Sequence, residues 1–468
     1  MLPRVALSTD LRLRQSWETF RTGPTFASFC NAIASMRANK DATSPASWAY
    51  WADVHRMYCP HDTSYFLAWH RGLLYRFEGW LRRISGDPNL VLPYWNYYNH
   101  PTVPAEFLDP DLPLYRKDRT GTDVSGALSY APFADTIIHF QRGKTDAFEP
   151  TVETAPHNPV HNLVGGIMSS ISWSPKDPLF FVHHANIDRL WAAWINAGNG
   201  RRQPASTNSY WSGDLIYGDA LKSVPRVWTI NTSTYLGYQY DDETMPTAPS
   251  TDPPPGTSTA TAAGAGTLSS FSLVNAAPLR PAATQRVPLG SSQPLVLDEH
   301  SVSIQVPLSA NDAARVRSAM LQPATETADD GSDPVRVVLD GVRLTGLGEK
   351  GGYFYYVYLN LPEQLDAGRP ASSYLLGTLG PFEISVKQMK ASMKGKSMHD
   401  MSHAQDMAGS EGPEVRMVFS ATQTLRRIWP SDLDQLCVSF VRVNGSAHPA
   451  KGPVIKVKAF TVETDPKA

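Results

Sequence analysis

Three cysteines in 468 residues, Cys30, Cys59 and Cys437, are too few and too scattered for a disulfide framework. Charge of one sign is missing too: 42 Lys and Arg stand against 44 Asp and Glu, a formal net charge of −2. With no long basic run, binding to nucleic acid or to an anionic membrane surface is not expected. No apolar run approaches the roughly 20 residues that cross a bilayer, and Met1 to Gln15 lacks the apolar centre of a secretory signal. A cytoplasmic protein is therefore expected; the oligomeric state is not legible.

What the chain does have is length, aromatic residues and patterned histidine. Its 468 residues allow two or more domains and a large core, and 12 Trp and 19 Tyr supply bulky core side chains. The segment Asp177 to Trp194 places His183 and His184 among large apolar residues at the start of a helical pattern that continues through Asp188, Trp191 and Trp194. A buried imidazole is costly unless its nitrogens find partners, and a metal ion is a strong one.

Two further groups extend this. His157 and His161 have three residues between them, so on a helix both rings share a face and can chelate one ion. Upstream, Ser47 to Tyr58 reads as a helix carrying His55, followed by His61 and by His70, Arg71 and Glu78 in a helix opened by His70 and ending near Gly86. With one member of the pair at 183 and 184, the histidines make two sets of three. Neutral imidazoles hold copper in both oxidation states.

At these residues the chain resembles the tyrosinase, catechol oxidase and haemocyanin family. His61, Phe66, Leu67, Trp69, His70, Arg71 and Glu78 match that family's first copper signature; Asp177, Pro178, Phe180, Phe181, His184 and Asp188 match its second. The resemblance implies a type 3 pair of copper ions, one held by His55, His61 and His70, the other by His157, His161 and His184, with His183 a neighbour. It implies a mainly α, helical-bundle catalytic domain and an oxidoreductase that ortho-hydroxylates monophenols and oxidises o-diphenols to o-quinones with O2. A diphenol-only catechol oxidase and a haemocyanin-like oxygen carrier share the ligands and stand as alternatives. A zinc hydrolase fits less well, since such sites normally keep a carboxylate ligand. The scarcity of cysteine leans towards a bacterial-type member.

The resemblance also assigns roles around the ligands. Glu153 matches a glutamate that holds a water near copper, and Asn158 the position where Asn accompanies activity on monophenols; together they are the expected catalytic pair for taking up the phenol proton. Ile171 occupies the place of a gate over the copper. Cys59, in a Cys-x-His spacing, either forms a thioether to the His61 ring or remains a free thiol. Asn186 and Asp188 are expected to orient ligand imidazoles. Arg12 or Arg14 is expected to pair with Tyr238-Gln239-Tyr240.

Beyond Tyr240 the composition changes. Residues 1–244 are expected to form the catalytic domain, 245–294 a linker rich in Pro, Thr, Ala and Gly, and 295–468 a β-rich shielding domain. Strands are expected at Ser301 to Leu308, Val335 to Leu344, Tyr353 to Leu361, Pro381 to Val386, Val415 to Ser420, Cys437 to Val443 and Val454 to Phe460, enough for a sandwich or barrel. The stretches beginning at Val335 and at Leu375, the latter reading Leu-Leu-Gly-Thr-Leu-Gly-Pro-Phe, resemble the C-terminal domain of plant polyphenol oxidases, which covers the copper site and keeps the enzyme latent. Met389, Met393, Met398, His399, Met401, His403 and Met407 offer thioether and imidazole donors suited to copper(I) and form an expected copper-capture loop.

Overall fold

In the computed structural model the described residues are 11–248, 276–277, 285–322, 333–362, 369–393 and 412–464. Most of the expected linker and, in the expected copper-capture loop, Met398, His399, Met401, His403 and Met407 lie outside them.

The N-terminal half is helical. A three-residue strand β1 (Arg12–Arg14) precedes α1 (Trp17–Phe20) and α2 (Phe26–Ala38); α3 (Trp48–Tyr58) and α4 (Phe66–Ser85) follow. A loop-rich stretch leads to α5 (Phe148–Val152), α6 (Asn158–Val164) and the long α7 (Leu179–Asn196), before the small strands β2 (Asp214–Leu215), β3 (Val224–Pro225) and β4 (Tyr238–Tyr240). The central helices bury far more than one stripe: twelve of the twenty residues of α4 and fifteen of the eighteen of α7 are buried. Such all-round burial marks helices at the middle of a bundle. Helix α4 begins one turn before His70, not at it, because Tyr65 takes a left-handed conformation (φ 75°) and turns the chain in at Phe66. Its other end matches expectation, with Gly86 left-handed at φ 70° as the stop.

Strands β1 and β4 pair in parallel, Arg12 to Arg14 against Tyr238 to Tyr240. The pairing delivers Arg14 into a buried knot. Its Nε lies 2.7 Å from Glu78 and its Nη1 3.0 Å from the Tyr240 hydroxyl, and its guanidinium carbon sits 3.6 Å from the Tyr238 ring centroid. Asp188 closes the knot, accepting from Arg71 and from both tyrosine hydroxyls at 2.5 to 2.6 Å. The charged residues of the first signature are thus ion-pair girders between helices: Arg71 serves Asp188, and Glu78 serves Arg14 and Arg82.

The C-terminal half contains β5 (Gln285–Arg286), β6 (Gln293–Leu297), β7 (Val302–Pro307), α8 (Ala310–Leu321), β8 (Val335–Leu344), β9 (Tyr353–Leu359), β10 (Leu375–Leu379), α9 (Pro381–Met393), β11 (Val415–Ser420), α10 (Thr422–Ile428), β12 (Gln435–Asn444) and β13 (Ile455–Thr464). Two sheets, in the orders β10-β9-β12-β7-β5 and β11-β8-β13-β6, enclose a core of alternating apolar residues. Strand β5 and the first residues of β6 fall inside 245–294, so pairing begins before residue 295. One expected strand is a helix: Pro381 to Val386 opens α9.

Strand β9 joins the halves. Tyr353, Tyr355, Val357 and Leu359 enter the sandwich core, while Phe354, Tyr356 and Tyr358 enter the core of the helical half. That alternation follows from the two-residue period of a strand buried on both faces. The seam is close. A Cβ at Gly121 or Gly445 would come within 2.1 or 2.3 Å of the Leu163 carbonyl oxygen, so only glycine admits this approach of backbone to backbone.

Candidate metal centre

Helices α3, α4, α6 and α7 carry the histidines inward. His55 lies in the last turn of α3 and His70 in the second turn of α4, with His61 in the loop between; His157 stands at the N-terminus of α6, His161 inside it, and His184 early in α7. The structure gathers one ligand atom each from His55, Cys59, His61 and His70 within 4.8 Å of one another, and likewise from His157, His161, His183 and His184. The clusters abut: the rings of His70 and His184 stack at 4.2 Å, and those of His61 and His157 stand 5.4 Å apart.

The proton positions follow from the partners of Nδ1. His55 donates to the Ile171 carbonyl at 3.0 Å, His70 to the Phe66 carbonyl at 2.8 Å and His161 to the Met168 carbonyl at 2.9 Å. His157 reaches the Asn158 Oδ1 at 2.8 Å, and His61 the Glu153 carboxylate at 3.3 Å. Each bond puts the hydrogen on Nδ1 and leaves a lone pair on Nε2. Those nitrogens converge: Nε2 of His55 and His61 are 3.2 Å apart, and Nε2 of His184, whose Nδ1 has no hydrogen-bond partner, lies 3.4 Å from that of both His157 and His161. Burial holds His55, His70, His157, His161 and His184 well below the ordinary imidazole pKa, so they are neutral. Neutral acceptors facing one another without a shared hydrogen repel unless a cation sits between them. All-imidazole sets without a carboxylate fit two copper ions.

His183 is also buried, neither of its nitrogens has a hydrogen-bond partner, and burial pushes its pKa down to about 3. Its Nε2 makes no approach of the kind that His184 makes to both His157 and His161. Cys59 forms no disulfide, and its Sγ lies 3.4 Å from Nε2 of His70.

Glu153 is buried and heavily engaged. One oxygen accepts from the Asp62 amide at 2.7 Å as well as from His61; the other takes Arg142 at 2.5 Å. Glu153 and Asn158 therefore each hold a clustered imidazole by its Nδ1. Asn186 and Asp188, expected to do the same, do not. Asp188 belongs to the Arg14 and Arg71 knot, and the Asn186 Oδ1 accepts from Arg189 at 2.9 Å. On α7 Asn186 faces away from His184, while Asp188, one turn on along the same face, is taken up by buried arginines.

The space above the clusters is filled by the C-terminal half. The Phe382 ring, at the start of α9, stacks on His161 at 4.2 Å and 17°, and stands edge-on to His61 and His157 at 5.4 and 5.6 Å. Asn162 anchors it, accepting from the Phe382 amide at 2.8 Å and donating to the buried Glu383 at 2.8 Å. Ile171 is fully buried beneath α9 with Phe382 and Val386, and its amide donates to Ser385 at 3.0 Å. Further along α9, Lys387 lies 2.8 Å and Lys390 3.1 Å from the carboxylate of Asp62, the residue after ligand candidate His61. An open cavity of about 600 Å³ lined by Tyr130, Phe133 and Met245 lies elsewhere and contains none of the clustered histidines.

Sequence reading missed Phe382, Asn162, Arg142 and the two lysines as parts of the site. A signal existed for Phe382, which ends the stretch from Leu375 that resembles plant polyphenol oxidases. Arg142 sits in a loop, where no spacing marks it.

A family model for the common central domain of tyrosinase matches residues 44–136 and 109–197. The helical half thus carries the pattern of the tyrosinase central domain. It is 27% identical to a chloroplastic polyphenol oxidase of Malus domestica over 47% of this chain and 46% of that one. With tyrosinase HcTyr1 of Hahella sp. it shares 30% identity over 42% of this chain and 53% of that one. The chain thus spans about half the length of the curated relatives it matches. In fold it resembles latent apple tyrosinase, with a TM-score of 0.56 at 19% identity over 98% of both chains, and a latent aurone synthase, with 0.51 at 17% over 99% and 91%. The likeness in fold therefore extends over both halves of the chain. The cytoplasmic expectation is corrected by relatives from apple, apricot, grapevine and sweet potato that are chloroplastic, which points to an organelle. An apolar centre marks secretory signals only; plastid transit segments are rich in Arg and Ser, so lacking one says nothing about plastids.

Proposed function

We propose that the protein is a copper-dependent phenol oxidase that ortho-hydroxylates monophenols and oxidises o-diphenols to o-quinones with O2, and that it is latent while its C-terminal domain is in place. The observation that carries the reading is the pair of abutting imidazole clusters with an aromatic ring, Phe382, stacked where a phenol ring would lie.

His55, His61 and His70 are the ligands of one copper, and His157, His161 and His184 of the other. When bound, the pair exchanges two electrons with dioxygen and the phenol ring. The protein supplies orientation: the carbonyls of Phe66, Ile171 and Met168 fix three imidazoles, and Glu153 and Asn158 fix two more. A free phenol has a pKa near 10, so its proton needs an acceptor at neutral pH. Glu153 and Asn158 hold the water that takes it. His161 offers its ring face to a stacked aromatic and His61 an edge-on contact, the places Phe382 now takes. Ile171, packed against Phe382, lines the entrance as its gate. Residues 1–244 act as the catalytic domain, 245–294 as the linker and 295–468 as the shield. Phenols and O2 are the partners.

The test is to cut the chain within residues 245–266, displace the C-terminal domain with mild detergent, and assay tyrosine and a catechol side by side. Turnover of both supports the reading; turnover of catechol alone reduces it to a catechol oxidase. Reversible oxygen binding with no turnover replaces it with an oxygen carrier.

A further inference from the structure

The segment seated on the histidines carries more than a ring. Along α9, Phe382, Val386 and Met389 form an apolar stripe against Ile171, and the adjoining stripe bears Lys387 and Lys390. Both ammonium groups converge on Oδ2 of Asp62, at 2.8 and 3.1 Å, and Lys390 also donates to the Asp62 carbonyl at 3.2 Å. Asp62 follows ligand candidate His61 directly and is held in the left-handed region at φ 52°. Its other oxygen, Oδ1, faces Arg142 at 3.6 Å, but that guanidinium is already paired with Glu153. With α9 removed, the mouth keeps two carboxylates, Asp62 and Glu153, and one guanidinium, a local charge of minus one. The oxygen exposed by removal is the one that the lysines occupied.

We propose that this autoinhibitory segment imitates the substrate, an aromatic ring over the coppers joined to a cation on Asp62, and that Asp62 selects phenols bearing an ammonium group on a short alkyl chain. The proposal rests on the phenol-oxidase reading and names the substrate class of that site. The ring enters where Phe382 lies, and the ammonium replaces lysine on Oδ2. A phenol bearing a carboxylate meets like charge there and is disfavoured.

The test uses the full chain with Phe382→Gly, Lys387→Met and Lys390→Met, which vacates both positions, and reads binding by calorimetry of three non-oxidisable probes: 2-phenylethylamine, its neutral counterpart 2-phenylethanol, and 3-phenylpropanoate. A partly exposed ion pair predicts that the amine binds about fivefold tighter than the alcohol, with the propanoate weakest. Adding Asp62→Asn removes the difference while the alcohol still binds, and Asp62→Glu retains it. Equal binding of amine and alcohol, or a preference that survives Asp62→Asn, overturns the proposal and leaves the phenol site standing. Failure of all three probes to bind overturns the phenol site and this proposal together.

Discussion

The ring of Phe382 stacks on that of His161, 4.2 Å away, so a residue of the β domain occupies the face of a clustered imidazole in the helical domain. Burying such a ring stabilises the closed state by about 1.5–3 kcal/mol. Phe382→Ala in the full chain should raise the uncleaved enzyme's activity on a catechol by about 10- to 100-fold. The measurement is initial rate before and after cleavage; a variant as silent as the parent places the block elsewhere.

Removing one ligand should remove one metal. His161→Ala and His184→Ala each keep all the nitrogen donors of the first cluster, so copper analysis after reconstitution should fall from two ions per chain to one. His183→Ala keeps both ions, because His184 is the residue whose Nε2 faces His157 and His161.

Asn158 holds His157 through Nδ1, at 2.8 Å. Asn158→Gly should lower the rate on monophenols at least tenfold while sparing diphenols, since only a monophenol must lose its proton against a pKa near 10. Parallel loss of both rates reduces Asn158 to a brace for the imidazole.

Glu149 is fully buried, and burial pushes its carboxyl pKa up to about 7; it accepts from the Leu67 and Arg142 amides and the Tyr210 hydroxyl. A group raised in the folded state favours folding fully below its unfolded value near 4.5, and that advantage is lost as pH rises towards 7. Glu149→Gln lacks the loss, so relative to the parent it should gain about 3 kcal/mol between pH 4.5 and 7. Urea unfolding at both values measures it, and a constant difference rejects the assignment.

Asp188 gathers Arg71, Arg14, Tyr238 and Tyr240 at a buried point. Asp188→Asn leaves two buried guanidinium groups short of charge and should cost about 3–5 kcal/mol of stability. Thermal unfolding should show the loss, with the copper ligands themselves unaltered.

The gathering of the histidines was readable because spacing is local: His157 and His161 meet on one helix, the two signatures carry His61, His70 and His184, and the resemblance supplied His55. The Arg14 partnership with Tyr240 was readable from the resemblance alone. What failed did so where two periods fit one stretch. Phe382, Ile384 and Val386 alternate as in a strand, yet they belong to a helix wedged between the two domains. Ile384 enters the sandwich core while Phe382 and Val386 press on Ile171. Nothing within those residues says that apolar surfaces wait on both sides. Asp188 misled differently: its spacing from His184 suggested service to the metal, but long-range arginines, 117 and 174 residues away in sequence, claimed it.

The parallel pairing of Arg12 to Arg14 with Tyr238 to Tyr240 zips the two margins of the helical half side by side. Scission beyond Tyr240 therefore falls outside a loop already fastened shut. A cut there leaves β1 and β4 paired, so severing the chain between its halves and unfastening the helical half are mechanically separate events.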